Sequence, residues 1–141
     1  VLRNFLFGLA CVAMTTPALA SSNAILLACQ IDGAAPDLVP SFTSMICDEA
    51  AAQLGKVSGS SVQIVGVDAL ATDETKAWLR LDVAISSAYT AHGRASWGGG
   101  GLVAGEGPEL EAGIDDARLN PSTAALLVKV LLADTPFLTE N

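Results

Sequence analysis

Two adjoining segments of this chain alternate strictly between apolar and polar side chains, and that alternation limits the fold more than any other feature. In residues 77–85, Ala77, Leu79, Leu81, Val83 and Ile85 interleave with Trp78, Arg80, Asp82 and Ala84. In residues 89–97, Tyr89, Ala91, Gly93, Ala95 and Trp97 interleave with Thr90, His92, Arg94 and Ser96. Side chains of a β-strand point alternately to its two faces, so each segment reads as a strand with one buried and one wetter side. The short connection Ser86-Ser87-Ala88 makes the pair an antiparallel hairpin. Only registers pairing odd with odd positions keep both apolar sets on one side. Pairing Ile85 with Tyr89 satisfies this, and sets Asp82 opposite His92 and Arg80 opposite Arg94.

Other elements follow from period and punctuation. Residues 24–31 form an apolar run bounded by Asp32-Gly33, which predicts a first strand. After a loop with two prolines, Ser41 can cap a helix whose apolar positions Phe42, Met45, Ile46, Ala50 and Leu54 have helical spacing and which ends at Gly55. Residues 62–67 read as another strand. Residues 98–113, rich in Gly and Glu, read as a loop, and its Gly98-Gly99-Gly100-Gly101 tract offers no side chains to pack. Asn120-Pro121 predicts a helix start, with Asn as cap and Pro at the first helical position, and the helix runs to about Ala133. The order βαβββα predicts an α+β domain: a small antiparallel sheet with two helices packed on one face.

The N-terminal segment reads as an export signal. Arg3 is the only charged residue before Asp32, residues 5–14 are apolar, and Pro17 precedes the small residues Ala18 and Ala20. A membrane-spanning helix needs about 20 consecutive apolar residues, and Thr15, Thr16 and Pro17 interrupt the run too early for one. The expectation is a signal peptide over residues 1–20, a single domain over 21–141, and a periplasmic or extracellular location without a membrane span. A competing reading uses Leu26-Leu27-Ala28-Cys29, which resembles a lipobox and would make the protein a lipid-anchored assembly factor of the cell envelope.

The whole chain carries 7 basic and 15 acidic residues, a net charge of −8. Loss of Arg3 with the signal leaves 6 basic against 15 acidic, a net −9. A surface of that sign repels phosphate backbones and anionic headgroups, which argues against nucleic-acid and membrane-surface binding and suits cationic partners. Cys11 would leave with the signal, so Cys29 and Cys47 remain as an even pair, expected to form a disulfide in an oxidising compartment.

Motifs for chemistry are sparse. His92 is the only histidine, and beside Asp82 it could serve as a tuned general base in a small hydrolase. A hydroxyl nucleophile is not close in sequence: Ser96 lies about 13 Å along the strand. The cysteines and His92 have no zinc-ligand spacing. The acidic stretch Glu106, Glu109, Glu111, Asp115, Asp116 lacks the order of an EF-hand loop. The glycine tract matches neither phosphate-loop pattern. No cofactor or metal is implied. The resulting expectation is a non-enzymatic exported domain that binds a partner protein or small ligand. Its binding residues would be those of the wetter hairpin face: Trp78, Arg80, Asp82, His92 and Arg94. The two arginines suit a carboxylate, and Trp78 an interface.

Overall fold

The computed structural model describes residues 24–33, 37, 39–113 and 118–138; the expected signal segment and Asp115 and Asp116 lie outside these. Along the described residues the elements are β1 (Ile25–Gly33), α1 (Pro40–Ser58), β2 (Val62–Ile64), a 3-10 turn (Val67–Ala69), β3 (Trp78–Ser87), β4 (Thr90–Gly98), β5 (Gly105–Glu106), β6 (Leu110–Ala112) and α2 (Pro121–Ala133). This is the expected α+β plan, with both helices on one face of the sheet.

The sheet order is β2-β1-β3-β4-β5, and β6 also pairs with β4. It is mixed rather than wholly antiparallel, because β1 runs parallel to both β2 and β3. The reason lies in the connection: a helix as long as α1 carries the chain back to the end where β1 began, so the next strand beside it runs the same way. The same topology explains the composition of β1. With neighbours on both edges and cover on both faces, residues 25–28 are all buried, and such a strand reads as a continuous apolar run rather than an alternation.

Odd-numbered positions of β3 face the helices. Leu79, Leu81, Val83 and Ile85 lie at 0–2% exposure and form the main core with Ile25 and Leu27 of β1 and Ala91 and Ala95 of β4. Over them α1 lays Phe42, Ile46, Ala50 and Leu54, and α2 lays Ala124, Leu127, Val128, Leu131 and Leu132. Gly93 makes room for this second helix: a Cβ there would come within 3.0 Å of Leu131 Cδ1 and 3.5 Å of Leu127 Cδ1. A smaller cluster, Leu26, Ala28 and Leu70 with Val65, Val67 and Trp78, covers one end of the opposite face.

Helix ends follow cap chemistry more than apolar spacing. The first helical residue of α1 is Pro40, which needs no hydrogen-bond acceptor there. The helix passes through Gly55, its sequence-predicted end, and stops at Gly59, whose φ of 71° suits glycine and whose N–H donates to Gly55 O at 2.9 Å. In α2 the Asn120 Oδ1 accepts from the N–H groups of Ser122 (2.8 Å) and Thr123 (3.2 Å), while Thr123 Oγ1 accepts from Asn120 N–H (2.7 Å). That reciprocal cap satisfies donors the helix itself leaves open.

Two sequence expectations for the region after β4 are corrected. The segment 98–113 is not all loop, since it contributes β5 and β6 to one edge of β4. The glycine tract is also packed. Gly99 and Gly100 have φ of 71° and 60°, and a Cβ would meet Lys76 O at 2.3 Å and Ala77 N at 2.5 Å respectively. Absence of side chains here permits backbone to lie on backbone, with Gly100 N–H donating to Glu74 O at 3.0 Å. The adjoining turn is held by Asp73, whose carboxylate accepts from Thr75 Oγ1 (2.5 Å) and Thr75 N–H (3.0 Å). Those two bonds, the hydroxyl's first, hold the Asp73 carboxyl below its ordinary range.

Cys29 faces the helices from β1 and forms a disulfide with Cys47 of α1, across a Cα–Cα distance of 5.9 Å. The expected pairing is therefore present.

Candidate functional site

The face of the sheet opposite the helices carries the polar residues of the hairpin. Its register differs from the sequence expectation by two residues. Ile85 pairs with Ala91, not Tyr89, so Asp82 lies opposite Arg94 and His92 lies opposite Ala84. The cause is a bulge between Ile85 and Ser87, followed by a tight turn in which Ser87 pairs with Thr90. Tyr89, expected on the core side, sits in that turn at 45% exposure, and Ala88 is buried instead. A shift of two leaves the side chains within the two strands on their expected faces, which is why the core assignment of β3 and β4 survives the change.

Registers across the strands set three rows on this face. Arg80 lies between Ala28 of β1 and Ser96 of β4, and Ser96 in turn pairs with Glu106 of β5. Asp82 lies between Gln30 and Arg94. Ala84 lies between Asp32 and His92, and His92 pairs with Glu111 of β6. The carboxylate directly beside His92 across the strands thus comes from β6 rather than from Asp82. The alternating pattern Glu109-Leu110-Glu111-Ala112 is the sequence signal that would have revealed that strand.

Charges on the face are largely paired within the chain. Arg80 donates from Nε (3.1 Å) and Nη2 (3.0 Å) to Asp82 Oδ1, two residues along the same strand. Arg94 Nη1 lies 4.0 Å from Glu106 Oε1. All four side chains are more than a third exposed, and pairs of this kind contribute about 0–1 kcal/mol each. Arg80 is therefore not a vacant receptor for a carboxylate, since it already holds that of Asp82, whereas Arg94 meets Glu106 only at the 4.0 Å limit of an ion pair. Trp78 is half-buried in the small cluster beside Leu26, Ala28 and Leu70. Gly98 and Gly99 pack on its ring, where a Cβ would fall 2.9 Å from ring carbons.

The shape of the face is decided by Ala84. Its single methyl lies between the longer side chains of Asp32 and His92, and leaves a hollow of about 290 Å³. Asp32, Asp82, His92 and Arg94 form its walls, with Glu106 and Glu109 beyond them. Four carboxylates thus face one guanidinium and one imidazole, so the hollow is acidic in balance. Asp32, Glu106 and Glu109 were not expected at the site, because sequence spacing does not reveal which strands lie side by side. Among the described residues no group of three or more His, Cys, Asp or Glu side chains is placed to hold a metal ion, and no helix is long and apolar enough to cross a membrane.

No protein-family profile, curated protein or solved structure matches this chain.

Proposed function

We propose that this is an exported, non-enzymatic binding domain of the periplasm or extracellular space, and that its open sheet face holds a partner protein or small ligand presenting a cationic group. The observation that carries the reading is the hollow over Ala84, which Asp32, Asp82, Glu106 and Glu109 line beside Arg94 and His92. An amine or guanidinium entering it finds carboxylate acceptors on its walls, and charge-assisted hydrogen bonds are the stronger kind. Arg94 would receive any carboxylate on the same ligand, so a dipolar group such as an amino-acid unit fits as well. The acidic balance of the whole chain steers such ligands toward it.

Export is supported by the N-terminal pattern and by the Cys29–Cys47 disulfide, since structural disulfides persist in oxidising compartments. The lipid-anchored alternative fits poorly. Cleavage before Cys29 would remove residues 25–28, which are buried at the centre of the sheet, and acylation would consume a sulfur already bonded to Cys47. The hydrolase alternative loses its intended pair, because His92 faces Ala84 and Glu111, and Asp82 is bonded to Arg80.

The test uses a lysine-containing tripeptide and its acetyl-lysine counterpart, followed by amide NMR. The free amine is expected to shift the signals of Ala84, His92 and Arg94, and the acetylated form to leave them in place. Ala84→Trp fills the hollow from an exposed position and should abolish the shifts, whereas His92→Ala should retain most of the binding. Binding that survives Ala84→Trp, or that ignores acetylation, would overturn the reading.

A further inference from the structure

The helical layer carries a second concave surface, chemically unlike the first. A groove of about 570 Å³ runs along the outer seam between α1 and α2, with Val57, Ala125, Leu126 and Leu132 in its walls. The outer side of α2 is apolar too. Lys129 is the only charged residue of that helix, and Leu126 and Val130, one turn apart, remain 53% and 37% exposed while its inner face is buried. Most surface helices present charged or polar residues on the side away from the core. Here a ridge and a groove lie side by side instead, the shapes by which helices pack on one another.

The charges of the seam are ordered along it. Gln53 Nε2 donates to Ala125 O at 3.1 Å, which sets those two residues at one level. Both helices run in the same direction and end together: Phe137, just beyond α2, shares a cavity with Ser58, the last residue of α1, and with Ile25, the first of β1. At 1.5 Å per residue, Glu49 lies about 6 Å before the level of Gln53, and Lys56 and Lys129 lie about 5 Å and about 6 Å beyond it. Leu126 stands almost at the level itself. All four line the groove. An acid therefore lies to one side of an exposed leucine and two bases to the other, at nearly equal distances along the helices.

We infer that the seam is an isologous dimer interface, on which a second copy of this chain packs its own α1–α2 layer about a two-fold axis near Leu126. A two-fold that reverses the helix direction carries each point beyond the level of Leu126 to an equal distance before it. Glu49 of one copy therefore arrives at the level of Lys56 and Lys129 of the other, once on each side of the axis, and the ridge of each copy enters the groove of the other. The patch is thus complementary to itself in charge and in shape. A partner of a single sign would match only one of its two halves. Repulsion between two acidic copies is also least here, because two of the three lysines in a chain of net charge −8 lie at this seam.

Sedimentation equilibrium of the purified protein over a range of concentrations is expected to show a monomer–dimer equilibrium. Leu126→Asp, at an exposed position, should shift it to monomer, with an unchanged circular dichroism spectrum and an intact disulfide as the check on folding. Glu49→Lys alone, and Lys56→Glu with Lys129→Glu, should each weaken association by about tenfold or more, because like charges then meet on both sides of the axis. Mixing these two variants should restore a dimer, since every lysine then meets a carboxylate again. Recovery on mixing would not follow from a folding defect in either variant. Ala84→Trp, on the opposite face, should leave the dimer intact, which separates this surface from the one above. A monomer at every concentration, a dimer indifferent to Leu126→Asp, or no recovery on mixing would each overturn the inference. So would a dimer abolished instead by Ile64→Lys, at the exposed edge strand β2.

Discussion

At the scale of single residues, the smallest side chains decide where larger groups can lie. Gly93 lets α2 approach the sheet until Leu131 Cδ1 stands 3.0 Å from where its Cβ would be. Ala84 does the converse on the other face, leaving open the space that becomes the hollow. Neither role follows from composition, since both residues occupy ordinary strand positions and only their cross-layer neighbours give them meaning. Gly93→Val would force three carbons against Leu127 and Leu131. The expected effect is destabilisation of about 1–3 kcal/mol, the usual cost of overpacking, read as a lower urea midpoint with an unchanged slope. A gain in stability would mean that α2 can retreat from the sheet without loss.

At the scale of elements, termini were less legible than existence. The helical spacing of Phe42, Ile46, Ala50 and Leu54 located α1, and the Asn120-Pro121 pair located α2, because both signals are local. The end of α1 was misplaced at Gly55 because a glycine can either cap a helix or sit within it. Gly59 offers the better cap, because its φ of 71° lies in the left-handed region that glycine alone adopts without strain. Gly55 is therefore an interior glycine whose Cβ would make only ordinary contacts, at 3.6 Å with Ser60 O and 3.8 Å with a Val62 methyl. Gly55→Ala is expected to stabilise the protein by about 0.5–1 kcal/mol, through the lower entropy of the unfolded chain. Thermal unfolding checks it, and a loss of stability would show that the close approach of β2 has no slack. The hairpin register was missed for a related reason: a bulge adds a residue without altering the alternation that identifies a strand. Charge gave a usable hint, because the expected register set Arg80 against Arg94, whereas the observed one sets Asp82 against Arg94, and opposite charges are the favourable cross-strand pair.

At the scale of the whole molecule, the disulfide ties the first strand to the helix that covers it. It closes a segment with a sequence separation of 18, for which the chain-entropy argument gives about 3 kcal/mol. A domain of this size has only about 5–15 kcal/mol in total. Cys29→Ala with Cys47→Ala should lower stability by about that amount, measured by urea unfolding against the oxidised protein. An equal midpoint would mean that packing of α1 on β1 alone holds this part of the fold.

The sequence by itself determined which of the longer segments become strands and helices, which side of each faces the core, and which cysteines could pair. These follow from periodicity and short-range chemistry, which a chain carries wherever it is placed. Tertiary structure alone decided that β1 lies between β2 and β3, that Glu111 rather than Asp82 stands beside His92, and that the glycine tract rests on residues 76 and 77. It also decided that Ala84 would lie between Asp32 and His92 and so floor the hollow on the open face. Such relations depend on the order of strands and the level at which layers dock, and these are set by the joint burial of residues far apart in the chain.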